Sequence, residues 1–129
     1  MRRLPLWLVA AALVALAGCQ RLNWQREATV DGSRTWLIDA PSREQKLTVQ
    51  ASADEPISVF IVPNEEPEAL DASLTNRTRP RNTLAGEENK TDIQFEATVP
   101  AKQEFRVCVC LGKSAKANTA KVKLSVKGN

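Results

Sequence analysis

Three small groups of residues in this chain could do chemistry. Cys108-Val109-Cys110 places two thiols one residue apart near the C-terminal end. On an extended strand such residues stand about 6.6 Å apart with parallel side chains, near the upper limit for a disulfide, so a bridge would need a bulge. Three readings stay open for the pair: two buried small apolar residues, a strained or intermolecular disulfide, or a soft-metal or redox pair. The second group, Arg77, Arg79 and Arg81 around Pro80, could clamp a phosphate or carboxylate. No glycine-rich nest or helix start accompanies them, so the plainer reading is a solvated loop tip. The third is Cys19, whose setting is unlike that of the other two cysteines.

What is missing limits the chemistry further. The chain has no histidine and no tyrosine, which excludes a Ser-His-Asp triad, a Cys-His pair and any histidine-bearing zinc site within it. The only methionine is Met1, so nothing of that kind completes a metal site around Cys108 and Cys110. Carboxylates such as Asp71 and Glu87 have no spacing that suggests a paired acid and base. A protein without enzymatic activity, cofactor or metal is expected. A redox or soft-metal function of Cys108 and Cys110 is the alternative.

Cys19 ends a distinctive N-terminal segment. Arg2 and Arg3 precede an unbroken apolar run of 12 residues, Leu6 to Ala17, followed by Gly18. Charge, apolar run and small residues in that order make an export signal, and the run is short of the roughly 20 residues a membrane-spanning helix needs. Leu16-Ala17-Gly18-Cys19 resembles the lipobox of bacterial lipoproteins. That resemblance implies a signal helix over residues 1–18 that is removed, diacylglycerol on the Cys19 thiol, and an acylated (palmitate-type) amine on the new N-terminus. It also implies a cell-envelope location, membrane-held through the lipid, with Gln20 favouring the outer over the inner membrane. Several acyl chains hold durably where a single one is marginal.

Removing residues 1–18 leaves 111 residues and lowers the net charge from +3 to +1. This is one small domain by length, with no charge excess that calls for nucleic acid. The charge is unevenly placed: residues 64–97 hold eight acids against four bases, and residues 98–129 hold seven bases against Glu104. Two solvated faces account for this, or a docking surface for an anionic polymer or lipid headgroup.

The elements that must position these residues read as strands. Residues 19–27 are expected to be a lipidated tether, with residues 28–129 forming the domain. Ala28 to Val30 and Arg34 to Ile38 flank Asp31-Gly32-Ser33, which reads as a hairpin turn because Asp-Gly supplies positive φ. Trp24 and Trp36 would cover one end of the core. Lys46 to Ala51 alternates with period two, Asp54-Glu55-Pro56 reads as a break, and Ile57 to Val62 looks like a central strand stopped by Pro63. Glu65 to Leu74 favours one or two helical turns with acids at the N-terminal dipole. The polar stretch from Asn76 to Asp92 reads as a long exposed loop. Ile93 to Val99 alternates again. Phe105, Val107, Val109 and Leu111 line one face of the next strand, with Arg106, Cys108 and Cys110 on the other. In the last strand Lys121, Lys123 and Lys127 form an exposed row suited to protecting a sheet edge.

About seven strands in this length predict an all-β protein, an antiparallel, jelly-roll-like β-sandwich. The order of strand ending Ala40-Pro41, strand Lys46 to Ala51, strand Ile57 to Val62, acidic excursion, and Phe95-Glu96-Ala97-Thr98-Val99-Pro100-Ala101 leading into Phe105-Arg106-Val107 resembles the compact sandwiches of Golgi-dynamics-type and bacterial pre-peptidase C-terminal domains. Those families usually place glycine and tyrosine near the turn before the penultimate strand, where Gln103, Glu104 and Phe105 stand here. The resemblance implies a non-enzymatic binding or stabilising module, its partner an envelope protein or polymer.

Overall fold

The computed structural model describes residues 21–128. The signal segment and the first two residues of the expected tether, Cys19 and Gln20, lie outside them. Six strands and one helix follow in order: β1 (Asn23–Asp31), β2 (Ser33–Ile38), β3 (Gln45–Pro63), α1 (Pro67–Thr75), β4 (Ala85–Val99), β5 (Phe105–Leu111) and β6 (Thr119–Gly128). Every pairing is antiparallel, and the fold is an antiparallel β-sandwich.

The 19-residue β3 organises it. Its first half pairs with β6 on one side and β4 on the other, and its second half with β5 and β4. The two halves therefore belong to different layers, β1-β6-β3-β4 and β2-β5-β3-β4. The chain crosses between layers where register shifts separate Ser52, Ile57 and Val59. A bulge bends and twists a strand without ending it, so Asp54-Glu55-Pro56 is a corner rather than the expected break. Two expected strands become one, and six strands stand where about seven were expected.

Gly32 makes a second corner. β1 pairs with β6 and β2 with β5, not with each other, so Asp31-Gly32-Ser33 is not a hairpin turn. Gly32, at φ +78°, turns the chain from one layer to the other. Its N–H donates to the Asn118 carbonyl and its own carbonyl accepts from Leu111. β1 also begins at Asn23, inside the stretch expected to be tether, because Asn23 to Glu27 pair with Lys127 to Lys123. β4 likewise begins at Ala85, well inside the expected loop. Its first half is polar because it is an edge strand, paired only with β3.

Between the layers lie Val30, Leu47, Val49, Ile57, Val59, Ile61, Val99, Phe105, Val107, Val109, Leu111, Leu124 and Val126 among others, nearly all fully buried. A second, smaller cluster lies outside the β2-β5-β3 layer, where Leu70 and Leu74 of α1 cover Phe60, Val62, Cys108 and Cys110. β3 and β5 are thus buried on both faces there, which explains their near-continuous apolar sequence.

Candidate functional site

Cys108 and Cys110 sit beneath α1, free and fully buried. Burial pushes the Cys108 thiol up from 9.0 to about 12, against a smaller opposing pull from Arg106. Burial likewise pushes Cys110 up to about 11, opposed by Arg77 and by a hydrogen bond with Ser58. The thiolate is both the nucleophile and the metal-binding form, so this site favours the unreactive thiol. Among the described residues no three cysteine or carboxylate side chains come together as a metal site.

Of the three arginines, Arg77 is engaged within the fold. Arg77 takes φ +56° just after α1, its N–H bonded to the Leu74 carbonyl and that of Thr78 to the Ser73 carbonyl. This is a Schellman ending with arginine where glycine is usual. Its guanidinium donates to the carbonyls of Gly112 (3.1 Å) and Ala115 (3.4 Å), tying the helix end to the β5–β6 loop. Arg77 is therefore a structural tie. Arg81 lines a crevice with Glu65 and Glu66, and Arg79 is exposed.

The same loop is pinned from several sides. Ser114 donates its N–H and hydroxyl to Asn89 Oδ1, at 2.9 and 2.6 Å. Glu55 Oε1 accepts the N–H groups of Lys116 and Ala117, and Asp54 Oδ1 that of Lys121. Carboxylates of the β3 corner thus serve as anchors for backbone donors.

The two layers differ in what covers them. α1 seals much of the β2-β5-β3 layer, whereas the outer face of β1-β6-β3-β4 is open and forms a trough of about 790 Å³. Pairing aligns its floor into rows across four strands. The central row is Gln25, Ser125, Gln50 and Gln94. On one side run Glu27, Lys123, Ser52 and Asp92, and on the other Asn23, Lys127, Thr48 and Glu96. A second open hollow of about 620 Å³ continues the trough past Glu27 and Lys123 toward Thr29, Lys121 and Asp54. β6 is an interior strand of this layer, so its lysine row lines the trough and does not guard a sheet edge. Lys123 faces Glu27 at 3.8 Å and Lys46 meets Glu96 at 2.7 Å. The face is near-neutral, with a central line of amides and a hydroxyl that can both donate and accept hydrogen bonds.

Against known proteins, no family model matches this chain and no curated sequence is similar to it. Solved structures are similar. The pre-peptidase C-terminal domain of a collagenase from Bacillus anthracis superposes with a TM-score of 0.55 at 9% identity, covering 81% of this chain and 89% of that one. PliG of Aeromonas hydrophila, a periplasmic inhibitor of g-type lysozyme, gives 0.56 at 11% identity over 84% and 86%. The Yersinia pseudotuberculosis-derived mitogen gives 0.55 at 8% identity over 85% and 88%. What is shared is the fold.

The trough could have been read from period two in four strands at once, but only with the strand order in hand. A local signal was also present in Trp24-Gln25-Arg26 and Arg34-Thr35-Trp36. Each puts tryptophan and arginine on one strand face, in mirrored order around Gly32. The rings of Trp24 and Trp36 meet edge to face, with centroids 5.4 Å apart and planes at 68°. Arg26 lies over Trp24 at 5.0 Å and Arg34 over Trp36 at 5.1 Å. The two tryptophans lie on edge strands β1 and β2 and pack against the core.

Proposed function

We propose that this protein is a non-enzymatic binding module of the cell envelope, lipid-anchored through Cys19 and engaging an envelope partner through the open trough. The observation that carries the reading is the asymmetry of the two layers: one outer face is largely covered by α1, and the other is an uncovered floor of Gln25, Ser125, Gln50 and Gln94 bordered by paired charges. Such a floor suits an extended, uncharged partner rich in hydroxyls and amides, because each floor side chain offers hydrogen bonds without a charge to neutralise. The shared fold supports binding over catalysis, since PliG is an inhibitor. Burial of both thiols weighs against the redox or soft-metal alternative. Outer-membrane placement belongs to the same proposal and rests on Gln20.

Substitution of the floor tests it. Gln50→Lys with Gln94→Glu changes two exposed positions that face each other across β3 and β4, keeps the pair neutral, and should leave folding within about 0.5 kcal/mol. An envelope component retained by the wild-type protein and lost by this variant supports the reading; equal retention by both removes the trough from it.

A further inference from the structure

The Trp24–Trp36 edge combines features that nothing in the trough requires. Arg26 and Arg34 are exposed, each guanidinium carbon lies about 5 Å from an indole centroid, and neither takes part in an ion pair among the described residues. The sole hydrogen bond of the Arg26 side chain there runs to the neighbouring Gln25 carbonyl. Both guanidinium groups therefore keep donors free for an anionic partner. The indoles are half-buried, anchored on the core from within and accessible at the rim. Arg21, also exposed, precedes them on the same strand approach.

Distance along the chain decides which partner this edge meets. At no more than about 3.6 Å per residue, the five steps from Cys19 to Trp24 reach at most about 18 Å. A lipid on Cys19 thus keeps the start of β1 close to the headgroups. Tryptophan settles at the membrane–water interface because its ring is apolar and its N–H polar, and each arginine near an anionic surface adds electrostatic attraction.

We infer that the Trp24–Trp36 edge is the membrane-facing edge of the domain, with its indoles at headgroup level and Arg21, Arg26 and Arg34 on phosphates of anionic lipids. The inference rests on the lipidation of Cys19. It adds a second contact to the acyl anchor and orients the domain. Trp24 and Arg26 alternate along β1 with Gln25 and Glu27, so seating Trp24 on the bilayer leaves the floor of the trough on the opposite side of the strand's pleat, with Arg26 at the trough's rim.

Mature protein purified from membranes provides its own probe, because Trp7 leaves with the signal and Trp24 and Trp36 are then the only tryptophans. The protein is reconstituted into vesicles of phosphatidylethanolamine and phosphatidylglycerol, with and without bromine on the upper acyl carbons. Bromine should quench emission roughly twofold or more for rings at headgroup depth. Raised salt should relieve that quenching, and so should Arg26→Glu with Arg34→Glu. Vesicle-bound protein whose emission ignores bromine overturns the docking while leaving the anchor standing. Quenching that survives both salt and charge reversal overturns the role of the arginines. Protein that carries no lipid by mass and stays out of the vesicle fraction overturns the anchor and the docking together.

Discussion

Replacing Cys108 and Cys110 with valine separates the packing of these side chains from their chemistry. Burial raises Cys108 from 9.0 to about 12 and Cys110 from 9.0 to about 11. Alkylation requires the thiolate, so near pH 8 these shifts lower its population about a thousandfold and about a hundredfold. Native-state labelling by iodoacetamide should lag behind labelling in denaturant by at least those factors. Stability then depends on pH with a definite sign. Below about pH 9 both folded and unfolded chains keep the thiol protons, and the thiols impose no penalty. Between about 9 and the folded values of about 11 and 12, the unfolded chain releases protons that the folded chain retains. Each thiol in that window makes unfolding easier by up to about 1.4 kcal/mol per pH unit. The double valine variant lacks this slope and should cost at most about 3 kcal/mol at neutral pH. Urea melts of both proteins from neutral pH to about pH 10.5 make the comparison, with the wild type losing stability faster above about pH 9. Parallel pH curves, or rapid native labelling of both thiols, would mean that burial does not hold these thiols protonated.

Other outcomes follow from single contacts. Leu74→Ala removes a side chain only 1% exposed from the cover over the thiols; it should cost about 2–5 kcal/mol in a denaturant melt and speed native labelling of Cys108 and Cys110. Gly86→Ala should destabilise more than Gly32→Ala. A Cβ at Gly86 would stand 2.6 Å from the Val59 carbonyl oxygen and from Phe60, whereas one at Gly32 meets open space and carries only the cost of φ +78°, about 1–2 kcal/mol. Paired thermal melts give the order, and equal losses would contradict it. Asn89→Ala deletes the acceptor for both donors of Ser114 and should cost about 1–3 kcal/mol, with faster amide exchange at Ser114 as the local readout.

The strands of the core were legible because their faces alternate: Leu47, Val49 and Ala51 in β3, Ile93, Ala97 and Val99 in β4, and Val122, Leu124 and Val126 in β6. Where partners are non-local, the same local signals pointed elsewhere. Asp31-Gly32 carries turn chemistry, but a hairpin and a corner between layers need the same positive φ, and only the pairing of β1 with β6 and β2 with β5 tells them apart. The residues from Gly86 to Asp92 read as loop because an edge strand facing water needs few apolar side chains. Pro56 looked like a stop, yet at a bulge its missing N–H breaks no necessary ladder bond, and its carbonyl accepts the Gly112 N–H. The spacing of Cys108 and Cys110 showed that they share a face; their burial depends on α1, which packs on them from some 35 residues earlier. Arg77 looked available because nothing local announces that a distant loop presents the Gly112 and Ala115 carbonyls to its guanidinium.

Presentation of this sandwich to its partner from a membrane depends on lipid at Cys19. The intact mass of the protein extracted from bacterial membranes tests it most directly. The expected species is a chain beginning at Cys19 whose mass exceeds that of residues 19–129 by a diacylglyceryl group and an amide-linked acyl chain, with Cys19→Ser shifting the protein out of the membrane fraction. A mass equal to the unmodified chain, or one that retains residues 1–18, would contradict it.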